Sequence, residues 1–423
     1  MTDVNSYSFA DPETLAYPHV YYAAMRKEAP VHLDPALGMY VVTRYADIVE
    51  VTKNPLVFSS AEGFEEMMRQ DYSQEIDDMM RRDGFGPIPL AVWDPPEHTR
   101  LRALMDKAFT PKRVEAMEIY VVGIVNELID TFEGKGKAEM LSALAIPVPM
   151  YVIADQLGVD RADRHKFKNW SDISVEPLSG VITRERAFEC ARETIVFQRY
   201  LKDRIDERRE DPRDDMISDL VHAKLNDDDG LPGDIPTLNE TELFSIVRAL
   251  LVAGNETTTN GIGSALRLIA ERPDIAADLR GKIDESRPFV NFVEELLRFE
   301  SPVPSLFRMA TEDTTIGGVF VPKASPILLA WASANRDEAK FECPGQFDPA
   351  RRNAGHHLAF GTGIHRCIGQ ALARMEIRVV VREILRRLDN IELAVSADEL
   401  TYLPSLVTHG PASLPLRFTS RAR

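Results

Sequence analysis

Residues 360–369 read FGTGIHRCIG. One cysteine, Cys367, sits among Gly361, Gly363 and Gly369, with His365 and Arg366 directly before it. The chain then runs on from Ala371 as ALARMEIRVVV, with apolar residues at helical spacing. A glycine-rich turn that delivers one thiol to a helix start suits a haem-iron ligand. Backbone amides can approach the sulfur and tune an iron–thiolate bond. The positive end of the following helix also favours the anionic thiolate. An isolated cysteine is more often a small buried hydrophobe. Here, however, Phe-Gly-x-Gly-x-His-x-Cys-x-Gly fixes six positions in ten, a combination that chance rarely supplies.

The rest of the chain bounds what such a site can serve. With 423 residues and 44% hydrophobic content, it can bury a large core. No Gly/Ser linker, low-complexity tract or internal repeat interrupts it, so one domain spanning 1–423 is expected. The net charge of −17 opposes nucleic-acid binding, because phosphate would be repelled. Cys190, Cys343 and Cys367 are odd in number and far apart. That argues against a disulfide framework and for a reducing compartment. The opening residues, MTDVNSYSFADPETLAYP, lack a basic stretch followed by an apolar core. No uninterrupted apolar run reaches membrane-spanning length. A cytoplasmic protein with no membrane span is expected.

The periodicity predicts helices over 18–29, 45–53, 112–132, 148–157, 184–209, 239–271 and 289–299, and again after Cys367. The stretch 38–44, GMYVVTR, reads as a strand. Between 64 and 93 the pattern weakens and ends in an irregular apolar loop at 84–90, of the kind that often carries function. Asn226–Pro236 reads as a surface turn. Short β-like pieces fill 301–345, and the last thirty residues read as β and loop. The expected fold class is α+β, predominantly α-helical, with small β regions near the N-terminal and C-terminal parts.

A second constellation lies inside the most apolar helix, where residues 253–259 read AGNETTT. Glycine costs about 1 kcal/mol against alanine there, and three β-branched threonines add χ1 strain. Small residues at Ala253 and Gly254 would let a flat ligand approach the backbone. A threonine hydroxyl can bond back to the i−4 carbonyl and bend the helix. Glu256 and Thr257 could relay protons in an apolar site. The bland alternative is a solvated polar stripe; the preceding SIVRALLV argues for burial.

Two weaker patterns flank these. Glu295 and Arg298 stand at i, i+3, which alone reads as an ordinary ion pair. Residues 94–102, DPPEHTRLR, open a helix with proline and acid and place His98 and Arg102 on one face.

Taken in order along the chain, these four motifs resemble those of the cytochrome P-450 family, in its soluble bacterial form, over nearly the whole length. The resemblance implies a haem-thiolate monooxygenase with b-type haem (heme b, iron protoporphyrin IX), bound through the Cys367 thiolate. It implies that Thr257 supplies the hydroxyl and Glu256 the acid for proton delivery during oxygen activation. It gives Glu295, Arg298 and Arg351 (the last in FDPAR, 347–351) a structural role as a locked triad. His98, Arg102, Arg308 and His365 would pair with the haem carboxylates, which is sound for basic groups. Phe360, Gly361, Gly369, Ala253 and Gly254 would border the cofactor. One oxygen atom of O2 would enter a hydrophobic small molecule of terpenoid, steroid, fatty-acid or aromatic type. The pocket would be lined by Leu90, Ala249, Val252, Ala253, Pro304, Leu306, Leu406 and Val407. Arg81 or Arg82 could anchor a substrate carboxylate, although both are expected to face solvent.

Electrons would come from an external ferredoxin and ferredoxin reductase, with NAD(P)H as ultimate donor. Arg102, Lys107, Lys112, Arg113 and Arg366 are candidates for a partner-facing basic patch on an expected monomer. Two alternatives remain: a peroxide-driven peroxygenase on the same fold, against which the Glu256–Thr257 pair argues, and a non-catalytic haem sensor, for which no output domain is visible.

Overall fold

The apolar spacing at 239–271 becomes one continuous α-helix, Glu240–Glu271, of 32 residues. At 1.5 Å per residue it runs about 48 Å. The structure is a computed structural model and describes residues 4–68, 70–87, 92–159, 163–176, 182–224, 237–402 and 404–421. Leu90 and Asn226–Pro236 lie outside the described residues. The chain forms two compact units. One comprises the chain up to Ser59, Val114–Pro149 and everything from Glu256; the other comprises Ser60–Arg113 and Met150–Asn255. Of the four points where the chain passes from one to the other, three fall inside helices: Pro111–Ala116, Pro147–Gln156 and Glu240–Glu271.

The first unit holds all the described strands. These are β1 (Val31–Asp34), β2 (Met39–Val42), β3 (Phe58–Ser59), β4 (Lys137–Glu139), β5 (Leu306–Ala310), β6 (Thr314–Ile316), β7 (Val319–Val321), β8 (Pro326–Leu329), β9 (Leu388–Leu393) and β10 (Pro415–Ser420). A five-stranded sheet runs β1-β2-β8-β5-β3, with β2 and β8 parallel and the other pairs antiparallel. Its buried face packs Val31, Val42, Ile327 and Leu329 with Phe58 and Trp331. Gly317 and Gly318 join β6 to β7 with φ of 56° and 85°. A two-residue hairpin turn of the primed kind needs positive φ, which glycine adopts freely. The third sheet, β4-β10-β9, contains a mid-chain strand that periodicity does not reveal, because three residues are too few to show alternation.

The second unit is helical among its described residues. Its helices include Ser60–Met68, Ser73–Asp83, Glu97–Ala108, Arg164–Val175, Arg184–Glu210 and Met216–Val221. Phe167, Trp170, Phe197 and Tyr200 form its aromatic core, with ring centroids 5.0–6.4 Å apart. Arg208, fully buried, donates to Asp215 at 2.6 Å and Gly158 O at 3.3 Å.

Several expectations need correction. The weakly patterned 64–93 stretch holds most of one helix and all of another. In Ser73–Asp83 only Met79 and Met80 are buried, while Arg81 pairs with Asp77 and Asp78 across one turn. A face this charged hides the apolar period. Arg81 and Arg82 are exposed, with Arg82 paired to Asp83 at 2.6 Å. The single helix expected over 112–132 is two, Pro111–Ala116 and Glu118–Asp130. They part at Met117, whose N–H turns back to Val114 O at 3.1 Å. Pro273–Gly281, opened by proline at its first position, is a further helix that the apolar spacing does not bring out.

Candidate active site

Two glycines shape the loop that carries Cys367. Gly361 and Gly363 have φ of 65° and 73°. A Cβ on Gly363 would also stand 2.5 Å from the Thr52 carbonyl oxygen, so glycine is required there for space as well as conformation. The loop is closed by backbone bonds: Gly361 N–H to Leu358 O at 2.9 Å, Arg366 N–H to Gly363 O at 3.2 Å, and Cys367 N–H to Phe360 O at 2.9 Å. Leu358 N–H is itself held by Asn335 Oδ1 at 2.6 Å. His365 ends a single tight turn, Gly363–His365. Gly369 is the N-cap of the helix Gln370–Arg387, and a Cβ there would lie 4.0 Å from the Cys367 sulfur. Cys367 and Arg366 are exposed, whereas Cys190 is buried. The arrangement presents one sulfur at the positive end of an 18-residue helix.

That helix is seated against the second half of the long one. Gly261 would place a Cβ 2.8 Å from Ile377 Cδ1 and 3.7 Å from Pro302. Gly261 thus marks a close approach one turn beyond Thr257. Glu256 and Thr257 are half-buried, while their neighbours Thr258 and Thr259 are buried. Thr259 donates to Ala145 O at 3.2 Å. The helix stays α-helical through 253–259.

The triad residues meet in a fully buried knot. Arg298 grips Glu295 through two bonds of 2.7 and 2.8 Å, and Arg351 Nε reaches the same carboxylate at 3.0 and 3.1 Å. The Asp348 amide adds another bond at 2.9 Å. The guanidinium groups then bind loop carbonyls: Arg298 takes Asn335, Pro344 and Gln346, and Arg351 takes Glu342, Cys343 and Gln346. Side-chain exposure is 0% for Glu295 and Arg298 and 8% for Arg351, so the surface-pair reading of Glu-x-x-Arg does not hold. Buried charge is tolerated only with this degree of compensation.

Arg308 is buried on β5 and donates to Phe307 O at 2.6 Å. The segments that carry Pro304, Leu306, Leu406 and Val407 are bonded to each other, although Leu306 itself packs against the core of the five-stranded sheet. Ser305, between Pro304 and Leu306, donates to Leu406 O, and His409 N–H bonds Pro302 O at 2.9 Å. These contacts carry the 405–411 loop, with Val407, across the 302–306 segment. Pro411 and Leu141 then close on Gly263.

In the second unit, His98 is buried in the first turn of Glu97–Ala108, and Arg102 pairs with Asp106 at 3.0 Å. Arg113 pairs with Asp219 and, at 3.7 Å, Asp214. Two members of the expected partner-facing patch are therefore already engaged by carboxylates, while Lys107 and Lys112 are exposed. Ala249 and Val252 are half-buried and Ala253 is exposed, within a helix whose Leu250, Leu251 and Asn255 are buried. No described atom stands within 4 Å of where a Cβ on Gly254 would project.

Periodicity and motif spacing miss one cluster. Glu294, next to Glu295, receives Arg374 at 2.6 and 3.2 Å and lies 3.4 Å from His357 Nε2. Burial alone would raise the Glu294 carboxyl, but His357 and Arg374 outweigh it and hold it down to about 2. Burial, more than any charge nearby, lowers the His357 ring below the ordinary imidazole range. A second carboxylate in the apolar run FVEELLRF is the signal that could have shown it, since a buried acid needs a basic partner.

The donor chemistry fits a haem with one axial thiolate. Among the described residues, no three His, Cys, Asp or Glu side chains gather as a metal cluster. A single sulfur at a helix start, beside a closely packed glycine loop, is the soft donor presented among them. The fold is that of a haem-thiolate oxygenase. The cytochrome P450 family model matches residues 51–409, and the chain belongs to that family. A 34% identical relative is cytochrome P450 109 of Bacillus spizizenii, over 95% of this chain and 92% of that protein. The solved structure of CYP109Q5 from Chondromyces apiculatus superposes with a TM-score of 0.85 at 35% identity, over 99% of both chains. CYP109E1 from Bacillus megaterium, solved in complex with testosterone, superposes at 0.78 with 32% identity, over 95% of this chain and 99% of that one. The protein is accordingly a monooxygenase dependent on haem b. No described helix is long and apolar enough to cross a membrane.

Proposed function

We propose that this chain hydroxylates a hydrophobic small molecule, with Cys367 as the residue that would hold the haem iron through its sulfur. The observation that carries this is the Cys367 loop: one exposed sulfur, backbone locked to Phe360 O at 2.9 Å, at the N-terminus of an 18-residue helix. When bound, the haem supplies the reduction of dioxygen and the oxidation of the substrate C–H bond.

The chain supplies the rest. The positive end of the Gln370–Arg387 helix would favour the sulfur as thiolate. In the first unit, Arg308 and His365 would balance the haem carboxylates; His98 and Arg102 are given that role by the family resemblance. Phe360, Gly361 and Gly369 would border the haem in the first unit, and Ala253 and Gly254 keep the long helix free of bulky side chains where the family resemblance puts the cofactor. Thr257 holds a proton-donating hydroxyl, and Glu256 resupplies it from the neighbouring position. A carboxylate one methylene longer than aspartate gives that relay extra reach. The Glu295 knot holds the 342–348 loop and helix Ser286–Glu300 rigid, so that the sulfur keeps its position.

The substrate is apolar. The family resemblance puts Pro304, Leu306, Leu406 and Val407 at the substrate; the Ser305–Leu406 and His409–Pro302 bonds bring their two segments together, and these four residues are apolar. Ala249, Val252 and Ala253 add apolar surface on the long helix. Steroids and long-chain acyl compounds are the first classes to test, given that CYP109E1 takes testosterone into its structure. Electrons arrive from a ferredoxin and its NAD(P)H-dependent reductase. Lys107 and Lys112 are exposed cations that would suit an acidic partner, as is Arg366, and Arg102 and Arg113 face carboxylates of their own. The protein works as a single domain, a cytoplasmic monomer.

The test is a titration of the ferric enzyme with a steroid and fatty-acid panel, read as the low-to-high-spin change. Turnover with ferredoxin and reductase follows. A spin shift with a steroid or acyl compound and a matching hydroxylated product supports the reading. Product formed equally well from peroxide without ferredoxin would overturn the electron-donor assignment.

A further inference from the structure

The Glu294 cluster touches the cysteine loop, and nothing in the proposed chemistry uses it. Arg374 lies two helical turns past Cys367. Its guanidinium carbon sits 4.3 Å above the Phe360 ring, which is stacking distance. The same guanidinium is clamped by Glu294 at 2.6 and 3.2 Å and by Gln370 Oε1 at 3.0 Å. His357 flanks the ring from the other side of the chain, with centroids 5.8 Å apart and tilted by 45°. Its Nδ1 accepts the Ala359 N–H at 3.1 Å, which leaves Nε2 as the nitrogen toward Glu294. Phe360 is the residue whose carbonyl receives the Cys367 N–H. A continuous path of contacts therefore runs Glu294, Arg374, Phe360, Cys367 amide. A planar cation held at both edges and stacked on a ring fixes that ring far better than apolar packing alone.

We propose that Arg374, oriented by Glu294, is a positioning residue that acts through Phe360 to set the geometry of the Cys367 sulfur at the haem iron. The inference rests on the haem-thiolate reading of Cys367. Glu294 and Glu295, adjacent on one helix, divide two tasks: Glu295 fixes the 342–348 loop, and Glu294 fixes the ligand loop. Loss of Arg374 frees the Phe360 ring and lets its carbonyl move relative to the Cys367 amide. Amides near a ligating thiolate tune its donation, so the iron–sulfur bond should register the change.

The experiment compares purified holoenzyme of the wild type, Arg374→Gln, Arg374→Lys and Glu294→Gln. The wild-type ferrous carbon monoxide spectrum comes first. A wild type without the thiolate band overturns the haem-thiolate reading and this inference with it, whatever the variants do. With that band present, three readouts follow: the iron–sulfur stretching frequency by resonance Raman, the ferric/ferrous potential, and haem transfer to excess apomyoglobin. Arg374→Gln should shift the stretch and the potential and speed haem transfer by about tenfold, the lower range for losing a partner of a metal ligand. Arg374→Lys keeps the charge without the planar stack and should fall between. Stretch, potential and transfer rate all equal to wild type in folded Arg374→Gln would overturn the inference while leaving the Cys367 reading intact. Should Arg374→Gln yield no holoenzyme, Glu294→Gln decides by the same readouts. A shift of the stretch or the potential from wild type in folded Glu294→Gln supports the inference, and no shift overturns it.

Discussion

The Glu295 knot and the Ala253–Thr257 stretch both put polar groups into apolar surroundings, and they do it in opposite ways. In the knot two guanidinium groups share one carboxylate and fill their remaining bonds with loop carbonyls, and Glu295 and Arg298 have no exposed side-chain surface at all. In the helix, Ala253 is exposed and Glu256 and Thr257 are half-buried, between turns that are fully buried. The knot commits its polar groups to each other and to loop carbonyls, so it has nothing left to offer a substrate. The helix keeps small and polar residues accessible where leucine would have packed better. Saturated polar burial marks scaffold, and small or polar residues kept accessible in an apolar helix mark chemistry. Arg208–Asp215 in the second unit is a second buried pair, bonded at 2.6 Å, and no functional motif includes it.

The comparison breaks most visibly at the loop that the knot supports. Cys367→His should abolish monooxygenation, even where haem is retained, because imidazole does not donate as thiolate does. Retained hydroxylation by that variant would remove the sulfur from the mechanism. Glu295→Gln should cost about 3–5 kcal/mol, because it leaves two buried guanidinium groups uncompensated. Urea unfolding of the purified variant measures it, and a loss under about 1 kcal/mol would place the knot with ordinary surface pairs.

On the helix side the effects move from stability to chemistry. Thr257→Ala should leave haem content and substrate spin shift near wild type. Product per NAD(P)H should fall by about tenfold or more as reducing equivalents escape into peroxide. Unchanged coupling would count against the relay. Gly254→Ala sharpens the contrast further. A methyl there meets no described atom, and helix propensity alone predicts a gain of up to about 1 kcal/mol. Haem or substrate binding should nevertheless weaken. A variant that is both more stable and fully active would show that the small residue serves no ligand.

Much of this was legible in the sequence where a local rule governs. The helix Tyr45–Lys53 falls on its expected bounds, and Arg184–Glu210 and Glu240–Glu271 fall within one residue of theirs, because each buries a long apolar stripe. The Cys367 loop was legible because positive φ and close approach leave glycine little alternative. What stayed hidden depends on distant partners. Ser73–Asp83 buries two methionines behind a charged face. β4 exists only because β10 pairs with it. Glu-x-x-Arg by itself reads as a surface pair, and only the family resemblance, not the spacing, points to Arg351, which lies 56 residues from Glu295 and closes on it. Arg374 read as one charge among several on its helix, and only the fold brings it to Phe360.

Everything proposed for the site depends on Cys367 reaching iron as a thiolate. The purified holoenzyme, reduced with dithionite and exposed to carbon monoxide, tests this in one difference spectrum. The expected result is a red-shifted Soret band at the wavelength that names the family, lost in Cys367→His. A band at the position of histidine- or thiol-ligated haem in fully loaded, folded wild type would contradict it.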